Sequence, residues 1–251
     1  MIVFHHNGTP ARLDAAIAAA APEISRREAK RLIDDARAVV NGAVVGAASR
    51  EVRAGDRVTV LAGVPDLPLL ELDAVRAVID KPAGLAAQLA QRAGLLSALE
   101  VLAAQLKRAG EPNALWVVHR LDTGTSGVLC YARTRVEAAR LSALFAQHAF
   151  EKRYVAIVAG IIDRELVLEA PIRGREAATT VRPMATAGAT TRVEIEIATG
   201  RTHQIRVHLA AAGHPVLGDV RYGGPPAARL MLHAWKLAHP DVGAWEAPIP
   251  F

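Results

Sequence analysis

The chain of 251 residues has one cysteine, few aromatic residues and few lysines. Cys130 cannot form an intramolecular disulfide, so nothing in the sequence indicates an oxidising compartment. Aromatic residues make up 4% of a sequence that is 51% hydrophobic, so small and branched aliphatic side chains must build the core. No apolar run is long enough to cross a membrane, and the N-terminus lacks a secretion-signal pattern. We therefore expect a cytoplasmic protein with no membrane partner.

The charge balance of the chain is weakly basic. Lysine and arginine total 30 residues and aspartate and glutamate 25, which gives a formal net charge of +5. Such a balance favours an acidic partner such as nucleic acid. Most of the basic residues are arginines, but a GC-rich genome gives the same bias. We therefore draw functional conclusions only from arginines that lie within recognisable motifs.

A small module is predicted near the N-terminus, over residues 11–62. Apolar residues at helical spacing predict a first helix, and Ser25-Arg26-Arg27-Glu28 has the form of a capping box that begins a second. An Asn41-Gly42 turn between apolar runs then predicts a hairpin. Side chains three and four apart on a helix are neighbours, so one face of the second helix carries Arg27, Lys30 and Arg31.

This order of helix, helix and hairpin resembles the S-four type RNA-binding domain. The resemblance is carried by segments that follow in the expected order: Arg12-Leu13-Asp14, Ser25-Arg26, Val40-Asn41-Gly42 and Ala54-Gly55-Asp56. It implies that the basic face of the second helix contacts RNA. The alternative is a solvated helix face whose charge is partly neutralised by Asp34 and Asp35. We assign residues 1–62 to this module.

The rest of the chain is predicted to form a linker and one larger domain. Residues 63–72, with Pro65 and Pro68, predict the linker, and residues 73–251 predict a mixed α+β domain. Short apolar strands are predicted at 75–79, 116–118, 128–132, 154–159 and 193–197. Helical stretches are predicted at 95–106 and 138–145.

Two polar segments, residues 119–127 and 199–208, carry the strongest chemical signal. The first places one carboxylate, Asp122, among Thr, Gly and Ser residues, and the second contains two arginines and two histidines. Asp with Thr and Gly is also common turn chemistry. A single acid near a guanidinium nevertheless indicates nucleophilic or electrostatic catalysis by one aspartate on a polyanionic substrate.

A serine hydrolase and a metal site both fit these segments poorly. Ser126, His119 and Asp122 lie within eight residues of one another, whereas catalytic triads draw their members from separate elements. His203 and His208 would lie about 140° apart around a helix of 3.6 residues per turn, so they would not converge on one ion. We therefore expect no metal.

The second segment also predicts a helix start. If Thr202 caps the helix, Ile205 and Leu209 lie in its buried stripe, and His203 and Arg206 share a more polar face. An arginine in that position can pair with a carboxylate through its two-pronged guanidinium. The sequence does not show which carboxylate it meets.

Residues 73–251 resemble the RluA-type pseudouridine synthases along their whole length. The matching segments lie in the family's order at 78–84, 119–127, 152–156, 199–209, 213–219 and 232–235. The resemblance implies a mixed, largely antiparallel sheet with flanking helices, and conversion of uridine in RNA to pseudouridine without a cofactor. Ribosomal RNA is the expected substrate, transfer RNA the alternative, and no protein partner is implied. The rival hypothesis is a non-catalytic RNA-binding or ribosome-assembly protein that retains the fold.

The resemblance also implies roles for individual residues. Asp122 matches the catalytic aspartate, Arg206 its arginine partner, and Tyr154 the tyrosine that stacks on the target base. Arg120 matches a residue that enters the RNA stack when the nucleotide flips out. Whether the aspartate attacks the sugar, attacks the base or removes a sugar proton stays open. The further residues expected to contact RNA in this domain are Thr125, Lys81, Arg201 and His203.

Overall fold

The computed structural model describes residues 1–89 and 96–251. The chain divides into two compact units, one formed by Met1–Leu67 with Leu85–Val117 and the other by Pro68–Gly84 with Val118–Phe251. Residues 85–117 thus group with the N-terminal module, although the sequence analysis placed them in the domain 73–251.

The secondary structure is mixed. The helices are α1 (Leu13–Ala20), α2 (Arg26–Asp34), α3 (Ala98–Arg108), α4 (Arg135–Ala146) and α5 (Gln204–Ala211). The strands are β1 (Ile2–His5), β2 (Ala11–Arg12), β3 (Ala38–Val40), β4 (Ala43–Val44), β5 (Glu51–Val52), β6 (Arg57–Val60), β7 (Leu69–Leu72), β8 (Arg76–Lys81), β9 (Trp116–Val117), β10 (Ser126–Ala132), β11 (Glu151–Ala159), β12 (Leu166–Leu168), β13 (Thr179–Ala187), β14 (Thr190–Ile197), β15 (Leu232–His239) and β16 (Gly243–Glu246). Within the described residues, no helix has the length and apolar character needed to span a bilayer.

Two local signals in the first unit, the hairpin turn and the Ser25 cap, act as the sequence predicts. Asn41 and Gly42 both have positive φ (50° and 84°), as the turn between β3 and β4 requires. The Ser25 hydroxyl accepts a hydrogen bond from the backbone N–H of Glu28 at 3.1 Å, which confirms the helix cap. The capping box is incomplete, because the Glu28 carboxylate pairs with Arg31 instead.

A buried polar cluster explains why α3 belongs to the first unit. Ser97 and Glu100 form a complete capping box at the start of the helix. Glu100 is fully buried and accepts hydrogen bonds from Arg57 and, at 2.7 Å, from the Thr59 hydroxyl of β6. A charge-assisted contact of this kind joins segments that lie far apart in sequence. The helix predicted at 95–106 is confirmed as α3; Leu95 lies outside the described residues.

The second unit is built on one mixed sheet with the strand order β12-β13-β14-β11-β15-β10-β8-β7, and β16 pairs with β15. Strands β10 and β15 run parallel, while the other pairs along this order are antiparallel. The prediction of a mixed, largely antiparallel sheet is confirmed. Residues 69–72, predicted to lie in the linker, form β7 instead, because their backbone pairs with β8.

Strand β10 lies between β15 and β8 in this sheet and positions the loop that precedes it. All of its residues are buried, which explains its continuous apolar pattern. Cys130 is a packed thiol, and burial raises its pKa to about 12. Gly127 has φ +115°, and a Cβ there would lie 2.1 Å from the Ala234 carbonyl oxygen of β15. Glycine thus permits the close parallel pairing that fixes the start of β10.

Candidate active site

Three elements of the second unit converge on one pocket, which we call the active pocket. Asp122 lies in the loop before β10, Tyr154 lies on β11, and Arg206 lies in the first turn of α5; all three line the pocket. The Asp122 side chain is 25% exposed, so its carboxylate is accessible to a ligand. The polar residues that the two sequence segments singled out therefore share one site.

The Arg206 guanidinium bridges two carboxylates. Its Nε and Nη2 donate to the two carboxylate oxygens of Asp219 at 2.6 and 2.8 Å, and its Nη1 donates to Asp122 Oδ2 at 3.2 Å. Asp219 is 1% exposed, and its hydrogen bond is the main reason that the pKa of Arg206 is raised. Asp219 holds the guanidinium in a fixed orientation, with its third nitrogen directed at Asp122.

His203 and Tyr222 form another side of the same cluster. His203 Nδ1 lies 2.9 Å from the Tyr222 hydroxyl, and its Nε2 lies 3.8 Å from Asp122 Oδ2. The Arg206 guanidinium carbon lies 5.1 Å from the centre of the Tyr222 ring, within cation–π range. Burial is the main cause of the lowered pKa of His203, which favours the neutral imidazole. Asp122 thus faces the guanidinium of Arg206 and the imidazole of His203.

Sequence reasoning missed Asp219 and Tyr222 as members of this site. Asp219 ends the segment 213–219, which the resemblance included without giving that residue a role. Its only local signal is a Gly-Asp turn after an apolar pair. Because Arg206 lies thirteen residues away, no helical or strand periodicity connects the two.

The start of α5 differs from its prediction. Thr202 does not cap the helix; the N-cap position is His203, in a left-handed conformation with φ 58° and no side-chain cap. The Gln204 side chain organises the preceding turn, because its Oε1 accepts from the Thr199 hydroxyl at 2.7 Å and from the Arg201 backbone N–H at 3.0 Å. The turn so formed directs His203 towards Asp122.

Tyr154 supplies the flat aromatic surface of the pocket. Its ring packs against the apolar cluster that includes Ala156 and Leu232. Burial, and secondarily the charge of Asp122, raises the pKa of Tyr154, so its phenol stays protonated at neutral pH. The residue can therefore stack on a ligand but is a poor proton acceptor.

Ser126, His119 and Asp122 do not assemble into a triad. The Ser126 hydroxyl is buried and lies 2.8 Å from Nδ1 of His233 on β15. His119 Nε2 instead accepts the backbone N–H of Cys130 at 3.0 Å. Burial, aided by the charge of Lys152, lowers the pKa of His119 to about 3, which suits an acceptor that stays neutral.

Two protein-family models match the chain. The model described as RNA pseudouridylate synthase matches residues 76–211, more than half of the chain. The chain belongs to this family. The S4 domain model matches residues 11–58, which confirms the RNA-binding type of the N-terminal module.

Individual relatives agree with the family. A ribosomal large subunit pseudouridine synthase D of Nitrosomonas europaea is 33% identical over 95% of this chain and 81% of its own length. The protein of that name from Pseudomonas aeruginosa is 33% identical over 95% of this chain and 88% of its own. The structure of human RNA pseudouridylate synthase domain containing 1 covers 74% of this chain and 84% of its own, with TM-score 0.61 and 25% identity. The chain is an RNA pseudouridine synthase, an isomerase that converts uridine in RNA to pseudouridine.

The residues expected to contact RNA occupy different environments in the synthase. Arg120 is exposed at the active pocket and donates from Nη2 to the Thr202 hydroxyl at 3.0 Å. Arg201 and His203 line the pocket, as does Thr125, although Thr125 is only 2% exposed. On α2 of the first unit, Arg27 and Lys30 are exposed, whereas Arg31 is exposed but paired with Glu28.

Lys81 does not fit the predicted contact with RNA, because it is fully buried. Its ammonium donates to the backbone carbonyls of Pro82 at 3.0 Å and Thr123 at 3.4 Å. The Thr123 carbonyl also accepts the Gly84 N–H at 2.7 Å. Burial lowers the pKa of Lys81 to about 7, against the attraction of Asp122. Lys81 thus holds the backbone next to Asp122 instead of reaching the solvent.

The buried lysine predicts a specific pH dependence of stability. Between pH 7 and 10.5 the unfolded chain keeps a proton on Lys81 that the folded chain has lost, so the free energy of unfolding rises with pH. Relative to Lys81→Met, the wild type should gain up to about 1.4 kcal/mol per pH unit in this window. Urea titrations at several pH values measure the difference. The control Lys236→Met removes a lysine paired with Glu151 and should leave the slope of unfolding free energy against pH unchanged. Equal slopes for wild type and Lys81→Met would contradict the prediction.

Proposed function

We propose that the synthase isomerises uridines in ribosomal RNA of the large subunit, with Asp122 as the catalytic group acting on a flipped-out nucleotide. Two relatives that match 95% of this chain are named for the large ribosomal subunit. The observation that carries the residue assignment is the contact between the Arg206 guanidinium and Asp122, in a pocket that also contains Tyr154. An rRNA substrate agrees with the cytoplasmic location that the sequence analysis expects.

The reaction breaks the bond between C1′ of the ribose and N1 of uracil, and forms a bond between C1′ and C5 after the ring has turned. No oxidation or hydrolysis occurs, so the residues of the pocket must supply the catalysis through charge and position. Arg206 Nη1 donates a charge-assisted hydrogen bond to Asp122 Oδ2 at 3.2 Å, which orients the carboxylate that each of the three chemical routes uses. Arg206 itself stays positively charged, because a guanidinium does not lose its proton in proteins.

The detached base must stay in the pocket while it turns. Stacking on an aromatic side chain contributes about 1–3 kcal/mol per base, and Tyr154 offers such a surface. Extruding a nucleotide costs a few kcal/mol. Arg120 at the pocket, together with Arg27 and Lys30 on the S4 domain, would offset that cost through contacts with the RNA. Arg31 contributes less, because Glu28 already neutralises it.

The substrate assignment is tested by incubating the purified synthase with large-subunit rRNA, small-subunit rRNA and transfer RNA. Pseudouridine is then mapped by carbodiimide-dependent stops of reverse transcription, since an isomer leaves the mass unchanged. We expect stops at specific uridines of large-subunit rRNA. Stops confined to transfer RNA would refute the rRNA assignment and retain the chemistry. Absence of new stops in every RNA would contradict the catalytic assignment and favour the non-catalytic rival.

A further inference from the structure

A second cavity adjoins the active pocket in the second unit. It has a volume of about 320 Å³, and Tyr154, Arg120 and Arg201 line both spaces. The second cavity extends along the end of α4, where Phe145 and His148 contribute to its wall, and past Lys152 of β11. We call it the flanking cavity. A polynucleotide whose target base occupies the active pocket would have its neighbouring nucleotide next to this space.

The charge of the flanking cavity has one sign. Lys152, Arg120 and Arg201 line it together with His148, and among residues 1–89 and 96–251 no carboxylate contributes to its lining. In the part of the chain that the structure describes, none of these three cations forms an ion pair with a carboxylate. They contact neutral oxygens instead: Lys152 Nζ lies 3.4 Å from the Ala198 carbonyl, and Arg201 Nε donates to the Glu176 carbonyl at 2.9 Å. Their charges therefore remain uncompensated.

The next residue on the same strand shows the contrast. Arg153, beside Lys152, pairs with Glu151 and Glu194. Glu151 and Glu194 thus compensate the charge of Arg153 on one side of β11. They leave Lys152, on the other side, without a counter-charge. This difference between Arg153 and Lys152 indicates a site for an anion at Lys152. A general excess of basic residues would not leave one of the two paired and the other unpaired.

Burial and the positive surroundings of His148 support the same conclusion. The pKa of His148 is lowered, first by burial and then by the charges of Lys152 and Arg201. Burial also lowers the pKa of Lys152. Partial burial of a cation that has no counter-charge raises the free energy of the unliganded protein. An anion bound beside Lys152 supplies that counter-charge and gains charge-assisted hydrogen bonds.

We propose that the flanking cavity binds a nucleotide of the substrate strand next to the target uridine, with its phosphodiester group held by Lys152 and Arg201. The proposal rests on the proposed placement of the target base in the active pocket. The volume of the cavity lies in the range of sites for small organic ligands, about 300 Å³ and above, and so exceeds what a bare phosphate ion fills. Phe145, which stacks with both His119 and Phe150, adds the apolar edge of its ring to the wall on which a nucleobase would pack.

The test is the activity of Lys152→Gln on an rRNA fragment at increasing salt concentration. Loss of one phosphate contact should raise KM on the order of tenfold, with little change in kcat. It should also reduce the slope of log(kcat/KM) against log(salt) by about 0.7, the contribution of one phosphate in a single strand. Lys152→Arg, which retains the charge, should restore both values. A merely structural role for Lys152 would not change the salt slope.

Lys236→Gln is the matched control, because Lys236 carries the same charge, lies in the same sheet and pairs with Glu151. It should retain the wild-type KM and salt slope. Equal changes in Lys236→Gln and Lys152→Gln would show an effect of net charge, and an unchanged slope in Lys152→Gln would show that the cavity holds no phosphate; either result overturns the proposal. Both of these comparisons require that the wild type is active. A wild type that is inactive on every RNA would refute the proposed function, and this outcome is distinct from failure of the cavity proposal.

Discussion

Replacing Asp122 with asparagine is expected to abolish pseudouridine formation while leaving RNA binding intact. The amide has nearly the same shape as the carboxylate, but it cannot act as a nucleophile or accept a proton. The Arg206 Nη1 that lies 3.2 Å from Asp122 Oδ2 can still donate to the amide oxygen, so the pocket should keep its form. We expect kcat to fall on the order of 10⁴-fold or more, the scale seen when a catalytic nucleophile or base is removed.

Two measurements separate this loss from misfolding. Fluorescence anisotropy with labelled RNA should give the same Kd for wild type and Asp122→Asn, and carbodiimide mapping should detect product only with the wild type. The control is Asp80→Asn, which neutralises a half-buried acid of β8 that does not line the active pocket. The control should retain activity. Wild-type turnover by Asp122→Asn would show that another residue performs the chemistry.

Arg206→Met should reduce both activity and stability, for two different reasons. Asp219 is 1% exposed and loses the guanidinium that binds both of its oxygens. An unpaired buried carboxylate of this kind costs about 3–5 kcal/mol of unfolding free energy. Asp122 loses its only arginine contact among the described residues, so we expect kcat to fall on the order of 10²–10³-fold, as on removal of one electrostatic stabiliser.

A double variant separates the two effects. Arg206→Met combined with Asp219→Asn removes the buried charge, so it should recover much of the lost stability in urea titrations. Activity should stay low, because Asp122 still has no guanidinium partner. Arg153→Met serves as the control for losing an arginine, since its partners Glu151 and Glu194 are partly exposed and such pairs contribute about 1 kcal/mol or less. Recovery of activity in the double variant would show that Arg206 contributes to folding and not to the chemistry.

The sequence predicted well those elements whose causes lie within a few residues of one another. The Ser25 cap, the Asn41-Gly42 turn and the apolar strand at 128–132 formed as expected. Each depends on a local property, namely a capping oxygen, a tolerance of positive φ, or continuous burial. The Thr202 cap failed because the Gln204 side chain organises that turn from within the helix, which the capping pattern does not include.

The sequence by itself determined the family, the type of each domain and three of the residues that line the active pocket, Asp122, Tyr154 and Arg206, because long motifs in a fixed order specify them. Only the tertiary structure decided that Asp219 is the main partner of Arg206 and that Lys81 supports the Asp122 loop from within the interior. It also decided that α3 packs with the N-terminal unit through Glu100. These outcomes depend on distances and burial among residues far apart in the chain, and no local pattern contains that information.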